Sequence, residues 1–496
     1  MNTSVSFPAT SRRSVARHPV WTVSVLVAAA VLAGCADMSG ITPQARLRDP
    51  ASVGLVATAP SAVAAPAVST EWWHAMGDAQ LDALVAQALQ NNPSLKVAQA
   101  RLARAQAVTE VADAALLPQI NGAVDLTRQR YTETGAVPAP LAGSIRSTGT
   151  LQLNASWELD FFGKYRAALD AALGTVNAAE ADAQAARVLL ASNVARSYIQ
   201  LARTEAQLVV ARRTLAQREE TVGLVRDRVS AGLDTQLEQH QSEGGLPEAR
   251  QQIEALLEQS QLTRNALGAL VGDPKVALAL SAPALAAIKN MDLPPAIPAD
   301  LLGRRADIAA ARWRVEAAGK DVVNAKTQFY PNINLVAFAG LSSIGLNRLI
   351  GSDSLQWGVG PALRLPIFEG GRLRANLRGK TADLDAAVES YNASVLDAVH
   401  DVADQVASAR SITRQQTEQQ AAQKSAESAY GIAVQRYKAG LGNYLNVLTA
   451  ETNVLVQRRQ AVDLAARALD VQVGLARAVG GGYTAAALPV QQVAGE

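Results

Sequence analysis

The chain of 496 residues has one cysteine, Cys35, so no disulfide can form within it. Aromatic residues make up only 4% of it, which argues against a compact aromatic core and for long helices rich in alanine. The formal net charge is +2 with no basic block, so nucleic acid is not indicated as a partner. Four histidines (His18, His74, His240, His400) are scattered, and no metal-ligand spacing or phosphate-binding loop occurs. Asp397, Asp401 and Asp404 lie at helical spacing and read as a solvated or lumen-facing stripe rather than paired catalytic acids. No cofactor and no enzymatic site is expected. Beyond the first 32 residues no segment is apolar enough for a transmembrane helix, so any further membrane crossing must be made by strands.

The N-terminus reads as a targeting segment. Arg12, Arg13 and Arg17 form a basic stretch, and residues 20–32 are apolar but short for a spanning helix. Leu32-Ala33-Gly34-Cys35 follows and resembles the bacterial lipobox, whose cysteine is acylated and becomes the mature N-terminus. Residues 1–34 are therefore expected to be a lipoprotein signal peptide and 35–70 an acylated N-terminal segment carrying palmitate. Residue 36 is alanine rather than aspartate, which in lipoproteins implies export to the outer membrane.

The remainder is duplicated. RVSAGLDTQL near residue 228 matches RYKAGLGNYL near residue 436, with Gly232 and Gly440 standing 208 residues apart. The same offset carries Val194-Ala195 onto Val402-Ala403, Arg166-Ala167 onto Arg374-Ala375 and Val271-Gly272 onto Val479-Gly480. The first repeat is placed at 71–272 and the second at 301–481. An equatorial linker (273–300) lies between them and a tail (482–496) follows.

Each repeat reads as two strands and then a helical hairpin. Leu151, Leu153, Ala155, Trp157, Leu159 and Phe161 alternate strictly with polar residues, and Leu355, Trp357, Val359, Leu363, Leu365 and Ile367 repeat the pattern. Strands are expected near 119–134, 147–162, 332–343 and 354–368, each pair following a proline, Pro118 or Pro331. Trp157, Phe161, Phe162, Phe329, Tyr330, Trp357 and Phe368 cluster in or beside them, as in a membrane-interface girdle. Hairpins are expected at 163–271 and 370–480. A 4-3 series starts Leu169, Leu173, Val176, Glu180 and runs to Val229 with no proline between Gly163 and Gly232. A second series runs Leu445, Leu448, Leu455, Val462, Ala466, Leu469, Val473, Ala476. Gly244, Gly245 and Pro247 fall inside the second helix of the first repeat and predict a kink or bulge there.

Strands in hydrocarbon must close into a barrel, and the smallest membrane barrels have about eight strands. One chain offers four, so the barrel must be shared. Two chains would give a barrel filled by side chains, whereas three give room for a wet lumen suited to the polar face of Gln152, Asn154, Glu158, Asp160 and Arg364. The physical preference is a homotrimer.

These segments resemble the TolC-like outer membrane factor family, in its lipoprotein (NodT/OprM-like) branch. EWWHAMGDAQLDALVAQALQNNPSLKVAQARLARAQA, SWELDFFGKYRA, LLGRRADIAAAR and LPIFEGGRLRANL are similar to family segments in order and spacing, with Ala306 where relatives have proline. The resemblance covers nearly all of residues 30–480. It implies an α+β membrane protein: a trimeric 12-stranded outer-membrane β-barrel, four strands per chain, continued by a long periplasmic α-helical barrel. It implies the exit duct of a tripartite efflux system, with a periplasmic adaptor protein, an inner-membrane transporter, here expected to be of the RND type, and outer membrane lipid as partners. Type I protein secretion and a poreless coiled-coil lipoprotein are the alternatives, and strict strand alternation argues against the second.

Carried over from the family, Arg228, Gly232 and Leu233 with Arg436, Gly440 and Leu441 are expected to form adaptor-docking tips. Tyr444 and Leu445 are expected at the pore constriction, while Thr449 stands where relatives often have aspartate. The gate is therefore expected to be apolar and dominated by Leu445.

Overall fold

The computed structural model describes residues 37–48, 52, 68–291, 293 and 301–484. The signal segment, Cys35 and the tail from residue 485 lie outside the described residues, as does part of the 273–300 linker. In chain order the main elements are α1 (Ala79–Asn91), α2 (Pro93–Ala114), β1 (Gln119–Arg130), β2 (Ile145–Glu158), α3 (Lys164–Ser230), α4 (Gln236–Val271), α5 (Ala306–Thr327), β3 (Asn332–Ile344), β4 (Leu355–Arg364), α6 (Arg372–Lys438) and α7 (Tyr444–Ala478). The duplication is realised element for element, with matching lengths along the helices. α3 and α6 are both 67 residues long and begin 208 positions apart, and α2 and α5 are both 22 residues long. The strands end sooner than their alternation does, so Phe161, Phe162 and Phe368 fall beyond β2 and β4. At those ends the chain turns at Gly163 (φ 75°) and at Gly370 and Gly371 (φ 57° and 83°).

The chain divides into two units. One comprises, among the described residues, 37–44, 111–171 and 318–384, and holds a single antiparallel sheet in the order β1-β2-β3-β4. Its register puts residues of like polarity on one face across all four strands. Leu153 lies opposite Gly122 and Ala339, Leu151 opposite Val124 and Leu341, and Ala339 opposite Trp357. That face consists of Ile120, Val124, Leu126, Leu151, Leu153, Trp157, Leu335, Leu341, Leu355, Trp357, Val359 and Leu363 with small residues between, and most of these side chains are exposed. The other face carries Asn121, Asp125, Gln152, Asn154, Glu158, Asn334, Gln356 and Arg364, interrupted by Val336 and Phe338. A sheet with its apolar side bare is reversed relative to a water-soluble one and suits contact with lipid. Beside the sheet, Val322, Ala325, Phe329, Leu373 and Leu377 form a small core, onto which Met38 and Ile41 pack.

The second unit holds the helical hairpins and the main core. Trp72, Trp73, Met76, Leu81, Leu84 and Val85 pack with Leu190, Val194, Tyr198 and Leu201 of α3, Leu267 and Val271 of α4, and Leu469 and Val473 of α7. Asp78 caps α1 by accepting from the backbone N–H groups of Gln80 and Leu81, and it also accepts from the Tyr198 hydroxyl (2.8 Å).

The 4-3 series of α3 follows the buried stripe from Leu190 through Val194, Leu201, Leu208 and Ala211 to Val225. Towards its start the expected register fails. Leu173 is exposed, and the buried positions are Ala167, Ala171, Ala178 and Ala181. Small residues take the stripe because the helices approach closely there: a Cβ on Gly174 would stand 3.0 Å from that of Ala317.

Candidate functional site: the helical tips

Each hairpin turns on a left-handed glycine. Gly232 (φ 71°) ends α3, with the Leu233 N–H donating to the Arg228 carbonyl (2.9 Å) and the Gly232 N–H to that of Val229 (3.0 Å). Gly440 (φ 73°) ends α6 in the same way, the Leu441 N–H reaching the Arg436 carbonyl (2.8 Å) and the Gly440 N–H that of Tyr437 (3.1 Å). This paired pattern satisfies two carbonyls that a helix end leaves free, and glycine alone adopts the left-handed conformation without a Cβ penalty. α4 then starts on a capping box of Thr235 and Glu238, and α7 on Asn443, whose side chain accepts from the Asn446 N–H (3.1 Å).

The turns match in backbone and differ in side chains. In the first, Arg228 Nε donates to Asp234 Oδ2 (2.8 Å) and Nη2 to Oδ1 (3.3 Å). Arg228 Nη1 donates to the Tyr437 carbonyl (3.1 Å), its guanidinium lies 4.6 Å from the centre of the Tyr437 ring, and the Tyr437 hydroxyl donates to Asp234. The hydrogen bond from Arg228, aided by that from Tyr437, holds the Asp234 carboxyl below the usual carboxylate range. Burial, reinforced by the Asp234 acceptor, pushes the Tyr437 phenol up. The carboxylate therefore stays charged and the phenol stays protonated at neutral pH, which keeps all three bonds made. Arg228 and Asp234 belong to the first repeat and Tyr437 to the second, so the triad fastens one copy to the other. In the second turn the position equivalent to Asp234 is Gly442, and Arg436 is exposed and makes a long bond to the Leu441 carbonyl (3.4 Å).

Tyr437, Tyr444 and Val447 are buried with Val225 where the hairpins end. Tyr444 thus lies inside the protomer, whereas Leu445 is 60% exposed with Thr449 exposed one helical turn on, its hydroxyl donating to the Leu445 carbonyl (2.9 Å). Leu455, Ala466, Leu469, Val473 and Ala476 of the α7 series are buried, and the series emerges from the protomer's interior at its tip end. Leu233, Leu237 and Leu441 are also exposed, at 65%, 62% and 69%. Sequence reasoning misses Asp234 and Tyr437. Both stand inside the two matched decapeptides, but the bond joining them spans 203 residues.

α4 runs as one helix from Gln236 to Val271 through Gly244, Gly245 and Pro247, where a kink or bulge is expected. Arg218 of α3 occupies the space beside this stretch. Its Nη1 donates to the Gly245 carbonyl (2.7 Å) and to Glu248 (3.0 Å), and its Nε to Glu451 of α7 (3.0 Å).

A four-stranded sheet with an apolar outer face, encoded with two long helical hairpins, defines a membrane-barrel channel subunit. The family profile for outer membrane efflux proteins matches residues 84–273 and 297–481. The chain is 40% identical over 368 residues to the fusaric acid resistance protein FusA of Burkholderia cepacia, covering 73% of this chain and 69% of FusA. It is 32% identical over 463 residues to the multidrug resistance outer membrane protein MdtQ of Escherichia coli, covering 91% and 96%. The crystal structure of the outer membrane protein VceC of Vibrio cholerae matches with a TM-score of 0.78 at 37% identity, over 83% of this chain and 98% of that one. The chain belongs to the outer membrane efflux protein family. It is an outer-membrane efflux channel that gives four strands to a trimeric twelve-stranded barrel and its long helices to a helical barrel. Channels of this family act with periplasmic adaptors and inner-membrane transporters.

Proposed function

We propose that this chain is the passive exit duct for small toxic compounds, fed by an inner-membrane transporter of the RND type through a periplasmic adaptor, and that it catalyses no reaction itself. The names of its relatives, resistance to fusaric acid and to multiple drugs, favour small cargo over a secreted protein. Acylation of Cys35 would add a lipid anchor to the barrel. The adaptor docks on the tips, where the exposed Leu233 and Leu441 supply apolar contacts and Arg436 an exposed cation.

The observation that carries the gate is the outward stance of Leu445. A leucine that points away from its own protomer's interior is available to meet its two copies around a threefold axis, with Thr449 one turn further along the same face. Tyr444 supports that stance from inside. In planar bilayers Leu445→Ala is expected to raise single-channel conductance, and in cells to let in antibiotics too large for ordinary porins. Unchanged conductance and unchanged susceptibility would place the gate elsewhere.

The Arg228–Asp234–Tyr437 triad is the latch of the closed tip in this reading. Asp234→Ala leaves an arginine and a tyrosine hydroxyl without their acceptor, a loss of about 1–3 kcal/mol. The expected result is a leaky channel with normal trimer abundance, read as increased vancomycin sensitivity. Wild-type resistance in that variant counts against the latch.

A further inference from the structure

The two repeats solve the same electrostatic problem differently near the tip, and the difference gives Gly245 of α4 a partner. Glu243 of the first repeat and Glu451 of the second are equivalent positions. Glu243 accepts from Arg226 within its own hairpin, Nη2 at 2.9 Å and Nε at 3.1 Å. The position equivalent to Arg226 in the second repeat is Val434, so the arginine that serves Glu243 has no counterpart for Glu451. Glu451 is nonetheless buried, and a buried carboxylate needs a charge-bearing donor. That donor comes from the other copy, as Arg218, whose own equivalent is Ala426.

Arg218 needs room and a second acceptor to serve Glu451, and α4 provides both. A Cβ on Gly245 would stand 3.4 Å from Nη1, 3.5 Å from Cδ and 3.6 Å from Cζ of Arg218, which is ordinary contact, so alanine would fit and only a side chain extended past Cβ towards Arg218 would displace the guanidinium. The Gly245 carbonyl accepts from Nη1 at 2.7 Å. Gly244, next to it, has nothing within 4 Å of its missing Cβ. One guanidinium, mostly buried, thus ties α3 to α4 on one side and to α7 on the other. It borders a cavity of about 270 Å³ that Tyr444 and Leu448 also line, the residue before Leu445 and the one three positions after it.

We infer that Arg218, seated on the Gly245 carbonyl, is a positioning residue for the gate: it sets where the tip end of α7, and with it Leu445, stands against α3 and α4. This rests on the reading of Leu445 as the constriction. Gly245 is on this view the socket of Arg218 rather than part of a hinge. Arg218 is separate from the Arg228–Asp234–Tyr437 latch, because it holds α7 itself, where the latch holds the end of α6.

The test uses full-length trimers in planar bilayers, with trimer yield measured alongside. Arg218→Gln should raise the open probability about tenfold, the equivalent of losing one hydrogen bond between charged groups, at unchanged trimer yield. Gly245→Leu should do the same by steric displacement, although leucine improves the helix propensity of α4. Gly244→Leu should leave gating at the wild-type level. If Arg218→Gln fails to assemble, Gly245→Leu decides alone. Wild-type gating in Gly245→Leu, or equal effects at Gly244 and Gly245, overturns the inference. A rise in the Arg218 and Gly245 variants without a rise in Leu445→Ala keeps the positioning role and moves the gate to another residue of α7. The reverse pattern keeps the gate and removes the role of Arg218.

Discussion

Gly480→Ala is expected to abolish the folded channel. Gly480 has φ 102°, and an added Cβ would lie 1.8 Å from the Arg304 carbonyl oxygen and 2.7 Å from its carbon. No rotamer relieves this, because both partners are backbone. Its neighbours are as confined: a Cβ on Gly481 would meet Val188 at 2.5 Å, and one on Gly482 the Thr70 nitrogen at 2.4 Å. Three glycines in a row therefore thread the end of the second repeat between segments from three other parts of the chain. The site is further tied by Arg305, which is buried and donates to the Ala478 carbonyl (3.2 Å) and to Asp307 (2.6 and 3.0 Å). Backbone overlap of this kind belongs with the rare substitutions that cost more than about 4 kcal/mol. Gly440→Ala is the informative comparison. It has the same sign of φ but open space around the missing Cβ, so it should lose only about 1–2 kcal/mol to the left-handed conformation. Heat-resistant trimer in outer-membrane fractions is the readout. Gly480→Ala accumulating like the wild type would mean that Arg304 and its neighbours move aside easily.

Leu153→Arg should be the next most severe change. Leu153 sits in the middle of the apolar face, flanked by Gly122 and Ala339 on the neighbouring strands. An arginine facing lipid near the bilayer midplane costs roughly 2–4 kcal/mol, and a trimer bears it three times. Asn154→Arg, one residue on, turns to the other face, where Gln152 already donates to Asn154 and Arg364 ends β4. It should insert normally and change ion selectivity towards anions instead. Equal loss of trimer in both variants would contradict the assignment of faces; equal tolerance would contradict membrane insertion of this sheet.

The parts of this architecture legible in the sequence are those whose physics is periodic or local. Period-two alternation reveals both faces of β2 and β4 because neighbouring residues must point to opposite sides. The two tip glycines are readable because a helix cannot reverse cheaply without one. The fixed offset foretells α3 and α6 as elements of equal length. What stays hidden depends on residues far apart in the chain. Gly245 resembles part of a helix break as long as Arg218, on another helix, is not placed against it. Tyr444 and Leu445 are adjacent and look equivalent in sequence, yet one is buried and the other exposed, because α7 turns one side inward and the other out at its first residues. The early part of the α3 series misleads for a related reason. Leucines at 169 and 173 outweigh alanines in the pattern, while close helix approach selects the small residues.

The equality of α3 and α6 has a consequence for which changes in such a gene can survive. A single inserted or deleted codon in either helix shifts everything beyond it by about 1.5 Å and turns it by about 100°. The Arg228–Tyr437 contact and the buried stripe on one side would both be lost at once. Point changes can accumulate along these helices, but changes of length are confined to the connections. The strand loops fit that expectation: residues 131–144 connect β1 to β2, whereas the shorter 345–354 connects β3 to β4. The copies have diverged in length between the strands and kept it along the 67-residue helices, so the record of indels alone would mark which segments must stay in step.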